Sequence, residues 1–264
     1  MHWGIPATVF VIGLLCGSFL NVVIHRGPAL WGLVDDKTRA GGLAAPRSYC
    51  PACGKTLHAI DLAPIFSFLM LRGRCRFCDA RISKRYPAVE CLAGLASVLA
   101  VYTFGLSAQA LFASLFLWAL IALAVIDSET GFLPDALTLP LCAAGLAVNA
   151  FGGFAPIQDA LIGAIIGFGA FWAISAVYRV LRGREGLGLG DAKLLAACGA
   201  WLGWAALAPI IFVGSLAALI GVAVHGIVDR RVDAQAPIAF GPALAAAAAI
   251  VMFAPANDLP AGYW

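Results

Sequence analysis

Long apolar stretches alternate with short polar connections along this chain, and no water-soluble fold has an interior large enough to hide them. They run at 6–24, 88–103, 108–126, 136–154, 160–181, 192–204, 207–227 and 238–253. A helix needs about 20 apolar residues to cross a bilayer, and within hydrocarbon it must satisfy its own backbone amides. With 62% hydrophobic and 12% charged residues in 264, the composition lies far outside the soluble range. The expected class is an all-α polytopic membrane protein of about eight transmembrane helices.

Charge sets the expected topology. With the N-terminus outside and eight spans, the segment 26–85, the turn after Asp127, the segment 179–193 and Arg230-Arg231 all face the cytoplasm. All 17 Lys and Arg residues then lie in or beside cytoplasmic segments. Merging the short sixth stretch with the seventh would put Arg230 and Arg231 outside, against the positive-inside rule. Trp3, Trp201, Trp204, Tyr263 and Trp264 are then expected near the outer interface as an aromatic belt. The first stretch reads as a retained span, because no Lys or Arg precedes it as a signal peptide requires.

The one sizeable polar segment, 26–86, carries Cys50-Pro51-Ala52-Cys53 and Cys75-Arg76-Phe77-Cys78. Two C-x-x-C pairs offer four thiolates to one tetrahedral zinc. The alternative is two structural disulfides, which the reducing cytoplasm disfavours. A loop this small has little core of its own, so a metal cross-link would supply its folding energy. His58 lies nearby, but four cysteines already complete the shell. Cys16, Cys91, Cys142 and Cys198 lie within apolar stretches, where free cysteine behaves as a small hydrophobe. The run 60–71 is too short to span and reads as an interfacial or re-entrant piece. Its neighbours Arg72, Arg74, Arg76, Arg81, Lys84 and Arg85 suit contact with anionic membrane lipids. No nucleic-acid partner is expected, since no groove-reading motif accompanies the basic loop.

Carboxylates at the span ends carry the chemistry. Asp127 ends the third stretch, and Asp191 closes Gly186-Leu187-Gly188-Leu189-Gly190-Asp191 just before the sixth. Ionisable groups at membrane depth are costly enough to mark function, and topology places these two on one side. Two such aspartates can share a proton and activate water, one as base and one as acid. The glycines leave room for a substrate strand beside Asp191. Asp135 and Glu129 read as plain turn residues, His225 as a buried helix residue, and Glu90 as either functional or paired with a basic residue. The glycine run is a weak match to a dinucleotide site, because Asp191 stands where a third glycine belongs and no strand precedes it.

Taken together, these motifs resemble the prepilin peptidases, or type IV leader peptidases, among the GxGD aspartic proteases. The likeness covers nearly the whole chain. It rests on 17–26 (Gly-Ser-Phe-Leu-Asn-Val-Val-Ile-His-Arg), the two cysteine pairs, Pro64-Ile65-Phe66-Ser67, Leu71-Arg72-Gly73-Arg74-Cys75-Arg76 and Arg85-Tyr86-Pro87-Ala88-Val89-Glu90. Asp127 with Leu133-Pro134-Asp135, and Gly188-Leu189-Gly190-Asp191, complete it. The resemblance implies Asp127 and Asp191 as catalytic residues and Cys50, Cys53, Cys75 and Cys78 as zinc ligands. It implies cleavage of the basic leader of type IV prepilins or type II secretion pseudopilins, after a glycine and before a phenylalanine, on the cytoplasmic face of the bacterial inner membrane. Possession of the cysteine loop implies a second activity, N-methylation of the new terminus with S-adenosylmethionine. No Rossmann glycine fingerprint locates a pocket for that donor. The expected division is 1–25 as the first transmembrane helix, 26–86 as a cytoplasmic zinc loop, and 87–264 as the peptidase core of about seven helices.

Two other classes compete. A proton-coupled transporter would hold its ionisable groups near the midplane and often shows repeats, whereas Asp127 and Asp191 sit at span ends. A zinc-bearing scaffold leaves the glycine run and the aspartates without work.

Overall fold

Apolar segments of this length satisfy their amides most readily as helices, and the computed structural model of the chain follows that rule. It describes residues 4–36, 39, 41–183, 188–229 and 239–254. Trp3, Gly186, Leu187, Arg230, Arg231, Tyr263 and Trp264 lie outside these, as does the side chain of His225. Among the described residues there are nine α-helices: α1 (Gly4–Leu30), α2 (Phe66–Met70), α3 (Arg85–Phe104), α4 (Ala108–Thr130), α5 (Asp135–Ala150), α6 (Ile157–Arg182), α7 (Leu189–Leu202), α8 (Leu207–Asp229) and α9 (Gly241–Met252). Extended pairing there is confined to two isolated bridges, Tyr49 with Thr56 and Arg74 with Arg81.

The eight predicted stretches fall on the eight helices other than α2. Among the described residues, five segments are long and apolar enough to cross a membrane: α1, α3, α4, Ile157–Leu181 within α6, and Trp204–Val224 leading into α8. The helices α5 and α9 are shorter apolar helices, and α7 has only 14 residues. The chain is thus an all-helical, multi-pass membrane protein. It divides into two compact units within α4, at residues 1–122 and 123–264.

In the first unit α1 packs along α3 through small residues. A Cβ added at Gly13 would lie 2.7 Å from Gly94 Cα, and one at Gly17 would lie 2.6 Å from Glu90 Cα. Close backbone approach of this kind replaces the hydrophobic drive that lipid abolishes. Asn21 reinforces the pair by donating from Nδ2 to the Tyr86 carbonyl at 3.0 Å. Arg26 is buried near the end of α1 and donates to the carbonyls of Gly42, Pro46 and Arg47 at 3.0, 2.7 and 3.2 Å. One cation thereby folds the start of the loop against the helix.

In the second unit α7 occupies the middle, against α5, α6 and α9. Leu194, Leu195, Ala197, Cys198 and Ala200 expose no surface. Helix α6 reaches it through glycine: a Cβ at Gly163 would lie 2.6 Å from the Gly199 carbonyl oxygen, and one at Gly167 would lie 2.7 Å from that of Leu195. Asn149 stitches α5 to the end of α7. Its Nδ2 donates to the Ala200 and Trp201 carbonyls at 2.8 and 3.0 Å, while Oδ1 accepts the Phe154 and Ala155 N–H groups at 2.7 and 3.0 Å. Trp201 does not join an interfacial belt. It is 2% exposed, fills the space beside Gly145, and donates its indole N–H to the Leu141 carbonyl at 2.8 Å. With the polar tip satisfied inside, the ring is worth more in the core than at a surface.

Candidate functional site

The second unit brings the two predicted aspartates together. Asp127, in the last turn of α4, is 6% exposed, and its Oδ2 accepts the N–H of Gly241 at 3.1 Å. Gly241 is the first residue of α9, where backbone donors have no partner inside their own helix. A side chain there would displace the carboxylate, since a Cβ would lie 2.7 Å from Asp127 Oδ2. Asp191 lies half-buried in the first turn of α7, within electrostatic reach of Asp127.

The local sequence explains the position of Asp191. Gly188 is extended and leads into α7, with its carbonyl accepting the Asp191 N–H at 3.1 Å. Gly190 packs on the segment leading into α5, where a Cβ would lie 2.9 Å from Leu133 Cβ. Lys193 and Asp135 form an ion pair at 2.5 Å that ties α7 to the start of α5. Asp135, expected as a plain turn residue, is the first residue of α5 and is held by this pair. Two carboxylates that feel each other's charge disfavour simultaneous ionisation. Such a pair can take a proton from water and give one to a leaving group.

The first unit holds the cysteines. The two C-x-x-C turns are built alike. Cys50 N–H donates to the Lys55 carbonyl at 2.9 Å, and Gly54 N–H to that of Cys50 at 2.8 Å. In the second turn Cys75 N–H donates to Ala80 at 2.8 Å, and Asp79 N–H to Cys75 at 3.0 Å. Gly54 and Asp79 both take the left-handed conformation, at φ 69° and 59°, which glycine and aspartate tolerate best. The four Sγ atoms lie within 4.8 Å of one another, with Cys50 and Cys78 at 3.8 Å. A disulfide would be about 2.05 Å, whereas zinc–sulfur bonds of about 2.3 Å in a tetrahedron put sulfurs about 3.8 Å apart. The donor set fits zinc. The Phe77 N–H draws the Cys75 thiol down to about 7 against the opposing effect of burial. Two of the loop arginines are engaged within the loop: Arg76 pairs with Asp61 at 2.7 Å, and Arg74 with Asp79 at 2.5 Å. His58 stacks near Phe77, with ring centroids 5.7 Å apart.

Glu90 takes no basic partner among the described residues. Its carboxylate accepts the Ile65 N–H at 2.8 Å and a hydrogen bond from Ser18. Ile65 has φ 57°, costly for a β-branched residue. Gly241 is the residue that sequence reasoning missed. It lies 114 positions from Asp127, and Phe240-Gly241-Pro242 reads only as an ordinary helix start.

The chain is similar to known proteins along most of its length. Residues 11–104 match the bacterial peptidase A24 N-terminal domain, and residues 114–223 match the type IV leader peptidase family. The chain is 45% identical to a prepilin leader peptidase/N-methyltransferase of Burkholderia pseudomallei (strain 1026b), over 94% of this chain and 84% of the relative. It is 43% identical to the Neisseria gonorrhoeae protein of that name, over 94% and 89%. For the Pseudomonas aeruginosa protein the figures are 41%, 92% and 88%. No solved structure matches the chain. Likeness at this level along nearly the whole length of both partners leaves one conclusion: the chain belongs to the type IV leader peptidase family.

Proposed function

We propose that this protein removes the leader from type IV prepilins and type II secretion pseudopilins at the cytoplasmic face of the bacterial inner membrane, and then N-methylates the exposed terminus. The observation that carries the peptidase half is the buried Asp127, fixed by the Gly241 N–H, with Asp191 in electrostatic reach. One carboxylate accepts a proton from water as its oxygen attacks the scissile carbonyl. The other donates a proton to the departing amine, which is the new pilin terminus. Asp127, Glu129 and Asp191 favour a cationic leader, and the substrate's apolar helix packs in the membrane so that the cleavage site is held in place.

Cys50, Cys53, Cys75 and Cys78 would hold zinc and give the loop its shape. For the second step S-adenosylmethionine supplies the methyl group. The test is a cleavage assay with purified protein in detergent and prepilins bearing their leaders, with Asp127→Asn and Asp191→Asn alongside. Cleavage by the wild type and by neither variant is the expected result. Retained activity in either folded variant sinks the dyad, and no cleavage by the wild type on several prepilins sinks the peptidase.

A further inference from the structure

The first unit contains a cavity of about 630 Å³ with no part in the aspartate chemistry. Its walls come from α1, the cysteine loop and the start of α3, including Ser18, Asn21, Phe68, Leu71, Tyr86 and Glu90. Pockets of roughly 300–1,000 Å³ suit ligands the size of a substituted nucleoside. Phe68, Leu71 and Tyr86 offer apolar and aromatic surface, as a planar base requires.

Two acceptors give the cavity its preference. Glu90 is 8% exposed and is among the residues that line the cavity. Of the basic residues that line it, Arg26 is committed to three carbonyls and Arg76 to Asp61, while His25 and Arg81 are also on the wall, where Arg81 suits the carboxylate of a zwitterionic ligand. Asn21 is 3% exposed, and its Nδ2 is taken by the carbonyls of Gly17 and Tyr86. Its Oδ1 is buried with no hydrogen-bond partner among the described residues. A buried acceptor left unpaired is costly. A carboxylate and an orphaned amide oxygen on one cavity call for a ligand that is cationic and rich in N–H donors.

We infer that this cavity binds S-adenosylmethionine, with Glu90 and Asn21 as acceptors for its cationic methionine end. The inference rests on the methyl-transfer half of the function proposed above. It places the two chemistries in different units, since every residue lining the cavity precedes residue 91 and both aspartates follow residue 122. Glu90 and Asn21 then act as binding residues, and the small residues of α1 that bring Glu90 close also shape the pocket.

The experiment is equilibrium binding to the zinc-loaded full-length protein in detergent. The probes are S-adenosylmethionine and 5′-methylthioadenosine, which keeps the nucleoside and the sulfur and carries no cation. Glu90→Gln should weaken S-adenosylmethionine binding by at least about tenfold and change methylthioadenosine binding far less. Leader cleavage should persist in the same preparation. Equal weakening of both probes, or of neither, overturns the assignment. Ultraviolet cross-linking of radiolabelled S-adenosylmethionine to the unmodified protein tests the same point without a variant. Label is expected in peptides spanning 15–26 or 82–90, and label confined to residues beyond 122 overturns it. If the wild type binds no S-adenosylmethionine the inference also falls, and its cleavage and methylation assays then show separately whether the proposed function falls with it.

Discussion

Between residues 50 and 82 the described side chains are almost all exposed or half-exposed, and only Cys50 and Cys75 are buried. From 194 to 201, by contrast, every residue of α7 is buried. The cysteine loop has no hydrophobic core to hold it, so its shape depends on ligation and on short turns. The aspartates stand on the opposite footing. Glycines let helices and turns close around Asp127 and Asp191, and packing fixes the carboxylates. One unit should therefore fail when a ligand is removed, and the other when a methyl group is added.

The largest effect belongs to the aspartates. Asp127→Asn or Asp191→Asn should lower kcat for leader cleavage by about a thousandfold or more, while methylation of a pre-cleaved pilin persists. Loss of both activities in a folded variant would break the separation of the two units. Next comes the metal. Cys75→Ser should release zinc and impair methylation more than cleavage, because Cys75 and Cys50 also line the cavity. Unchanged metal content, read by atomic absorption, would remove the four-cysteine site. Gly241→Ala is expected to lower kcat/KM for cleavage roughly tenfold to a hundredfold, as misplacement by an ångström can do, with zinc retained. The smallest effect is that of Trp201→Phe. It loses one buried hydrogen bond to Leu141, worth about 1 kcal/mol. A Tm lower by a few degrees and near-normal cleavage would show that this ring serves packing alone.

Much of this was legible beforehand because it depends on local pattern. Apolar length places the helices, C-x-x-C spacing places the thiols, and Gly188-Leu189-Gly190-Asp191 marks its own aspartate. What escaped depends on partners distant in sequence. Gly241 matters only because Asp127 lies against it, and Trp201 looks interfacial until Leu141 and Gly145 are known to receive it. Glu90 shows the same limit. Its position after Arg85 invites an ion pair, whereas the fold offers it a strained backbone N–H at Ile65. The spacing of Gly13 with Gly17, and of Gly163 with Gly167, was visible in the sequence, but its meaning needed the facing helices α3 and α7.

Because α7 is covered by protein from 194 to 201, the thickness of the surrounding hydrocarbon does not dictate its length. The depth of Asp191 is set by neighbouring helices and by the Lys193–Asp135 pair. Lipids of different acyl-chain length would tilt or stretch the lipid-facing helices, while Asp191 travels with its own scaffold. Such an enzyme can meet its substrate at a constant height as the membrane around it changes composition.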